Sequence, residues 1–215
     1  MKKTRIDMNT YRRKAHFDYF RSLAFPYVGV TVEVDITDFR RVTKEKGCNF
    51  FHSFLWCASQ AANLIPEMRQ RQVDDYIVEY DFCVTSHTVG KEDGTYVYCD
   101  LCADCAYLDY LPYAAAEQEK ARRSGDIDRA PGEEEGLLFI STVTKIAQTA
   151  LIQPVNIPAD SNPRITWGKF FEREGKTLIP VSLLCNHALV DGLHITQFYE
   201  NLDMKLREVV ALLEG

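Results

Sequence analysis

Three features of the sequence predict an α+β fold in which a mixed β-sheet is covered by helices in a two-layer sandwich. Runs that alternate apolar and polar residues, the period of a half-buried strand, recur along the chain. Segments with apolar residues at helical spacing lie between them, without the regular strand-helix-strand alternation that builds a doubly wound parallel sheet. Size is the third: 215 residues, 46% of them hydrophobic, form one domain over 1–215. A chain of that length buries about 70% of the surface its unfolded form exposes.

Residues 10–24 carry Tyr11, Ala15, Phe17 or Tyr19, Phe20 and Leu23 near helical spacing, behind Asn9 or Thr10 as N-cap, which places a first helix there. Residues 27–36 alternate as a strand, and Thr37 or Asp38 caps a short helix that ends at Gly47. Residues 50–65 (FFHSFLWCASQAANLI) are apolar on most sides and too long for a strand, so they read as a buried central helix. Three β-like runs, YIVEY, FCVTSHTVG and TYVYCDL, occupy 72–101 with a turn at Glu92, Asp93 and Gly94, and a meander fits them. Residues 107–123 read as a helix and 124–136 (SGDIDRAPGEEEG) as a polar loop. LLFIST, RITWGKFF and TLIPVSLLCNH predict three further strands. From Gly192 an amphipathic helix follows, with Phe198, Leu202, Leu206, Val209 and Leu213 as its apolar stripe.

A net charge of −6 and a pI near 5.4 argue against a protein that binds by neutralising nucleic-acid phosphates. No apolar run has membrane-spanning length, and the opening MKKTRIDMNTYRRK lacks the apolar stretch of a secretion signal, so no membrane partner and a cytoplasmic location are expected. Seven cysteines, an odd number scattered through core-like segments, predict free thiols. Cys99, Cys102 and Cys105 form C-x-x-C-x-x-C. A fourth ligand is missing, and strand-like alternation sends successive cysteines to different faces, so no metal is expected. His16, His52, His87 and His194 read as core or surface residues, with His194 also placed to shape the mouth of a site at the end of the strand before it.

The chemically informative stretch is 181–194, VSLLCNHALVDGLH, in which an apolar strand runs into His-x-x-x-Asp-Gly and then a helix. The strand end fixes the imidazole of His187, Gly192 is expected to permit a sharp turn, and a histidine so placed suits proton abstraction near neutral pH. Cys185, two residues earlier, reads as a small buried hydrophobe rather than an acyl-accepting nucleophile.

Over nearly its whole length the chain resembles the chloramphenicol acetyltransferase family. TYRRKAHFDYF is similar to that family's first helix and VTVEVDITDF to the strand and helix start that follow. LLFIS, ITWGKFF and LIPVSLLCNHALVDGLHI match its catalytic half in order and spacing. The resemblance implies an acyltransferase that moves acetyl from acetyl-CoA, as co-substrate, to a hydroxyl of a small molecule. It implies His187 as general base, Ser141 as donor to the oxyanion and Thr166 as support for the same intermediate. Asp191 and Arg13 match an ion pair that holds the active-site loop, and Lys169 a lysine near the CoA 3′-phosphate. Phe20 and Tyr96 fall at or near aromatic positions that line the acceptor cleft. A homotrimer with active sites in the clefts between subunits is implied as well.

The chain departs from the family at four places. Asn186 stands where many members carry a second histidine. Lys145 takes the place of a tryptophan on the cofactor side, within TVTKIAQTALIQPV. Gln153 and Arg164 stand where the family usually presents apolar residues to chloramphenicol. Arg164 shares a strand face with Thr166, so an uncompensated guanidinium is expected to look into the acceptor pocket and to favour a polar or anionic acceptor. Rival readings are an acyltransferase for another acceptor or a longer acyl-CoA, and a non-catalytic trimeric protein that binds a small ligand on the same fold.

Overall fold

The computed structural model describes residues 2–124, 132 and 134–215, so most of the polar loop expected at 124–136 lies outside the described residues. The chain opens with β1 (Lys3–Arg5), α1 (Lys14–Phe20), β2 (Tyr27–Asp35), α2 (Thr37–Glu45) and α3 (Phe50–Asn63). It continues through α4 (Pro66–Arg69), β3 (Gln70–Val73), β4 (Tyr76–Tyr80), β5 (Val84–Gly90), β6 (Tyr96–Leu101) and α5 (Tyr107–Ser124). The last part holds β7 (Leu137–Val143), β8 (Arg164–Gly168), β9 (Phe171–Arg173), β10 (Lys176–Asn186) and α6 (Gly192–Glu214).

The main sheet runs β2-β10-β8-β7-β5-β6, with β9 added beside β10. It is mixed: β5, β7 and β8 lie parallel, whereas β10 is antiparallel to β2, β8 and β9, and β6 to β5. This is the α+β arrangement that the scattered strand patterns predict. Alternation sends Thr85, His87, Ile140, Ile165, Trp167, Val181, Leu183 and Cys185 to one face, where all are buried. Against that face packs α3, whose Phe51 and Phe54 rings lie 5.6 and 5.0 Å from the Trp167 ring. Asn49 caps α3, its side chain accepting from His52 N at 3.0 Å. The stripe on α6 is buried as expected at Phe198, Leu202, Leu206 and Val209.

Three expectations are corrected. The first helix spans only Lys14–Phe20, because Asn9 and Thr10 do not cap it: both turn back to Asp7, Asn9 N to its carboxylate and the Thr10 hydroxyl to its carbonyl. The N-cap of α2 is Ile36, and it is Asp35 whose carboxylate receives Thr37 N at 3.0 Å. The meander fails as well: YIVEY forms β4 in a separate antiparallel sheet, β1-β4-β3, and only β5 and β6 make a hairpin. Between the two sheets sits Arg71, 1% exposed, donating to the carbonyls of Met68, Gln70, Glu135 and Leu137. Five guanidinium donors suit such a junction, since each buried carbonyl needs one.

Beneath the sheet, His52 on α3 and His87 on β5 both reach Gln118 Oε1, at 3.1 and 3.2 Å. An amide oxygen only accepts, so each ring carries its proton on Nε2. Burial pushes the His87 imidazole down to about 4. An unfolded histidine takes up a proton near pH 6.5, roughly 2.5 units higher. Between those values the unfolded chain binds the extra proton, so stability is full above pH 6.5 and falls as pH drops towards 4. The expected loss from this residue is about 3 kcal/mol. Denaturant unfolding at pH 7 and pH 4.5 measures it, and His87→Gln is expected to flatten that acid limb.

Candidate active site

The end of β10 sets the geometry of the motif. Asn186 pairs with Tyr27 on β2, and the next amide, His187 N, donates to Pro26 O at 2.8 Å, which carries the ladder one bond further. The chain then turns, with Leu189 N and Val190 N returning to Asn186 O at 3.1 and 3.0 Å. This turn brings Val190 O to 2.8 Å from His187 Nδ1. A carbonyl only accepts, so Nδ1 carries the proton and the lone pair of the neutral ring is on Nε2. Phe20, from the end of α1, stacks on the half-buried ring at 3.8 Å between centroids. Cys185 points into the core, where burial pushes its thiol up to about 12 and leaves no thiolate for acyl transfer.

Behind the turn, Arg13 pairs with Asp191 through Nη1 and Oδ2, both groups partly buried. Burial works to raise the Asp191 carboxyl, but Arg13 and His194 more than offset it and hold the group below the ordinary carboxylate range. Asp191 also caps α6, accepting from Leu193 N at 3.0 Å, while its own N–H donates to His194 Nδ1 at 3.1 Å. His194, read from sequence as a core or surface residue placed to shape the site's mouth, is buried between Asp191 and Glu67, whose Oε1 lies 3.5 Å from Nε2. Gly192 does not have the role expected of it: it has no left-handed backbone, and a Cβ there meets nothing within 4 Å. The capping residue, not the glycine, turns the chain into α6.

Ser141 lies elsewhere. It is exposed near the end of β7, in register with Thr166 on β8. There, on the sheet face away from α3, it lines a cavity of about 540 Å³ with Ser86, Tyr98, Phe139, Gln153 and Arg164. Thr166 is buried beside it, its hydroxyl 3.4 Å from Gln153 Oε1. Tyr96 is 46% exposed and does not line this cavity. Tyr98, two residues along the same face of β6, does; strand alternation from Tyr96 is the signal that finds it.

Arg164 lines the cavity as expected, but its charge is compensated. Asp160 receives Nη1 and Nη2 at 2.8 and 2.6 Å, and Asn162 O receives Nη1 at 3.1 Å. The preference for an anionic acceptor rested on an unpaired guanidinium and falls with it; no pattern within the loop 144–163 advertises Asp160 as the partner. Lys145 and Lys169 are both exposed beyond the ends of β7 and β8. Lys169 N donates to Ile146 O at 2.8 Å, and Gly168 is needed here: a Cβ on it would lie 1.9 Å from Gln148 Oε1 and 2.6 Å from Ile146 O. Of the cysteine triplet, Cys99 is buried on β6 and Cys102 and Cys105 are exposed beyond it, and no metal-holding group of His, Cys, Asp or Glu occurs among the described residues.

The predicted residues therefore fall into two sets. Arg13, Phe20, His187 and Asp191 gather at the end of β10, while Ser141, Thr166, Gln153 and Arg164 gather around the cavity. Register separates them: Ser141 is level with Thr166 and Ser182, and His187 lies five residues past Ser182. At ~3.3 Å per residue this is about 16 Å along the strands, too far for the two groups to share one reacting carbon within one chain.

The family model described as "Chloramphenicol acetyltransferase" matches residues 1–203. The chain belongs to the chloramphenicol acetyltransferase family. Members of this family are acetyl-CoA-dependent acetyltransferases, and this chain is an acyltransferase. It is 29% identical to a chloramphenicol acetyltransferase of Bacillus pumilus over 201 residues, 92% of this chain and 90% of the relative. It is 27% identical to chloramphenicol acetyltransferase 2 of Haemophilus influenzae over 207 residues, covering 94% and 95% of the two chains. A solved chloramphenicol acetyltransferase structure superposes with a TM-score of 0.88 at 27% identity, covering 95% of this chain and 100% of that one.

The Arg13–Asp191 pair is partly solvated, so its net worth is about 1 kcal/mol. Arg13→Leu is expected to lower Tm by about 2–4 °C in a domain of this size. Asp191→Ala also removes the α6 cap and is expected to cost about 1 kcal/mol more. Thermal unfolding of the two variants side by side checks the difference.

Proposed function

We propose that the protein, folded as one domain over 1–215, transfers acetyl from acetyl-CoA to a hydroxyl of a small molecule. The acceptor attacks directly, in a complex that contains both substrates. The observation that carries this reading is the bond from His187 Nδ1 to Val190 O, which leaves Nε2 as the atom with a free lone pair. Nε2 takes the acceptor's hydroxyl proton as the oxygen bonds to the thioester carbon. Ser141 donates its hydroxyl to the oxyanion of the tetrahedral intermediate, with Thr166 supporting it. As the intermediate collapses, the carbon-sulfur bond breaks and the imidazolium returns its proton to the departing CoA sulfur.

Two copies of the chain complete the site in this reading. His187 of one copy faces the Ser141 cavity of the next, and a closed ring of three gives each copy both roles in a homotrimer. Acetyl-CoA approaches over the ends of β7 and β8, where Lys145 and Lys169 offer positive charge to its phosphates. The acceptor enters the cavity lined by Gln153, Arg164 and Tyr98, with Phe20 beside His187 and Tyr96 at the rim. Asp160 neutralises Arg164 and Glu134 also lines the cavity, so the wall offers no uncompensated positive charge to an anion and suits an uncharged acceptor, chloramphenicol or a more polar hydroxylated compound. No helix among the described residues is long and apolar enough to cross a membrane, and a cytoplasmic enzyme with a role in antibiotic resistance fits this chemistry.

CoA release with chloramphenicol and a panel of hydroxylated compounds tests the activity. His187→Ala is expected to lower kcat by about 10²–10⁴, and Ser141→Ala by about 10²–10³. A ligand-binding protein without catalysis would release no CoA in any form. Mixing the two inactive variants under subunit exchange tests the shared site: about a quarter of randomly formed interfaces then hold both native residues, and activity returns. If both residues acted within one chain, the mixture would stay inactive.

A further inference from the structure

Residues 144–163, between β7 and β8, contain neither helix nor strand, yet they supply Gln153, Pro154, Val155 and Asn156 to the cavity wall. One residue ties this segment to the turn that carries His187. Both oxygens of the Asp160 carboxylate are held by Arg164, itself 6% exposed and lying 5.3 and 5.8 Å from the ring centroids of Phe139 and Tyr27. The main-chain carbonyl of Asp160 receives the Tyr27 hydroxyl at 3.1 Å and Asn186 Nδ2 at 2.9 Å.

Asn186, 1% exposed, continues the connection into the turn. Its Oδ1 accepts from Ala188 N at 3.0 Å, and its carbonyl accepts from Leu189 N and Val190 N. Val190 O is the atom that meets His187 Nδ1. An unbroken series of partly or fully buried contacts thus runs from the cavity wall to the imidazole. A buried ion pair is weak support for stability as such, since desolvating both charges cancels much of their attraction. What this pair does supply is a fixed point for an otherwise irregular segment. A free histidine side chain favours the opposite tautomer, with the proton on Nε2, so the observed one persists only while a carbonyl is held against Nδ1.

We propose that Arg164, Asp160 and Asn186 are positioning residues that hold the 187–190 turn so that Val190 O stays on Nδ1 and Nε2 stays the basic atom. The tautomer part stands on geometry alone; the kinetic part rests on His187 acting as the base.

The test uses full-length protein labelled with ¹⁵N-histidine, the His187 signals being assigned by their loss in His187→Ala. In the unsubstituted protein, two-bond nitrogen-proton correlations are expected to report the Nδ1–H tautomer. In Asn186→Ala, which removes both amide contacts, the signals are expected to move to the Nε2–H pattern. Asp160→Asn keeps the backbone carbonyl but discharges the pair, and a mixture of the two patterns is expected. With chloramphenicol as probe acceptor, kcat of Asn186→Ala is expected to fall by about tenfold to a hundredfold, less than for His187→Ala, with KM for acetyl-CoA within about twofold. Asn186→Asp, which retains the acceptor for Ala188 N, is expected to recover part of that loss.

Circular dichroism establishes which variants fold, and Asp160→Asn with Asn186→Asp decide the matter if Asn186→Ala does not. The Nδ1–H pattern persisting unchanged in the folded variants overturns the proposal. A tautomer change in a protein whose turnover survives His187→Ala would uphold the positioning role and refute the base. If the probe is not turned over at all, the spectra alone uphold or overturn the positioning role.

Discussion

The pairing of β10 with strands on both sides is the constraint on which the rest of this structure depends. β2 matches it from Leu178 to Asn186 and β8 from Val181 to Leu184, so the strand has no freedom to slide. A slip of one residue would turn Cys185, Leu183 and Val181 out of the core and send Ser182 and Leu184 in. Because the last rung is fixed, the place where the strand must stop is fixed too, and the imidazole sits one residue beyond it. The position of His187 inherits its accuracy from a hydrophobic alternation that has nothing chemical about it.

Buried charge is handled in two ways around this frame. Arg71 has carbonyl partners and Arg164 a carboxylate, and each ties a segment of irregular backbone to the main sheet. Both solve the same problem, that loop carbonyls taken from water must find donors. They differ in consequence. Carbonyl partners leave the positive charge of Arg71 in place at the junction of the two sheets, whereas the carboxylate of Asp160 cancels that of Arg164 at the cavity wall. Chemistry that looks like a specificity signal when one residue is read alone becomes architecture when its partner is seen.

Most of the fold was legible because its signals are local and periodic. The 50–65 helix, the apolar stripe of α6 and the strands at 137–142 and 177–187 depend only on which residues recur at which interval. The two sheets were not legible, since pairing partners are chosen across the whole chain and YIVEY alternates equally well in either sheet. Short pieces such as β1, α4 and β9 carry too few residues to show a period. At the site, His187, Asp191 and Arg13 stood out through motif and resemblance, and the ion pair is present in the structure. Asp160, Tyr98 and Val190 O went unseen for separate reasons: one acts through a loop, one sits a strand period from the residue singled out, and one is main chain. No side-chain pattern can report a backbone carbonyl.

The contact of Gly168 with Gln148 and Ile146 has a bearing on how this protein can change. At that point the sheet and the segment after β7 touch backbone to backbone, with no slack for even a methyl group. Change is therefore closed off at Gly168 itself, where any side chain would meet these atoms. It stays open at the exposed lysines on either side, where a substitution displaces only solvent. The same few residues thus divide the neighbourhood into a rigid seam that no side chain can enter and a solvated margin where substitution carries little structural cost.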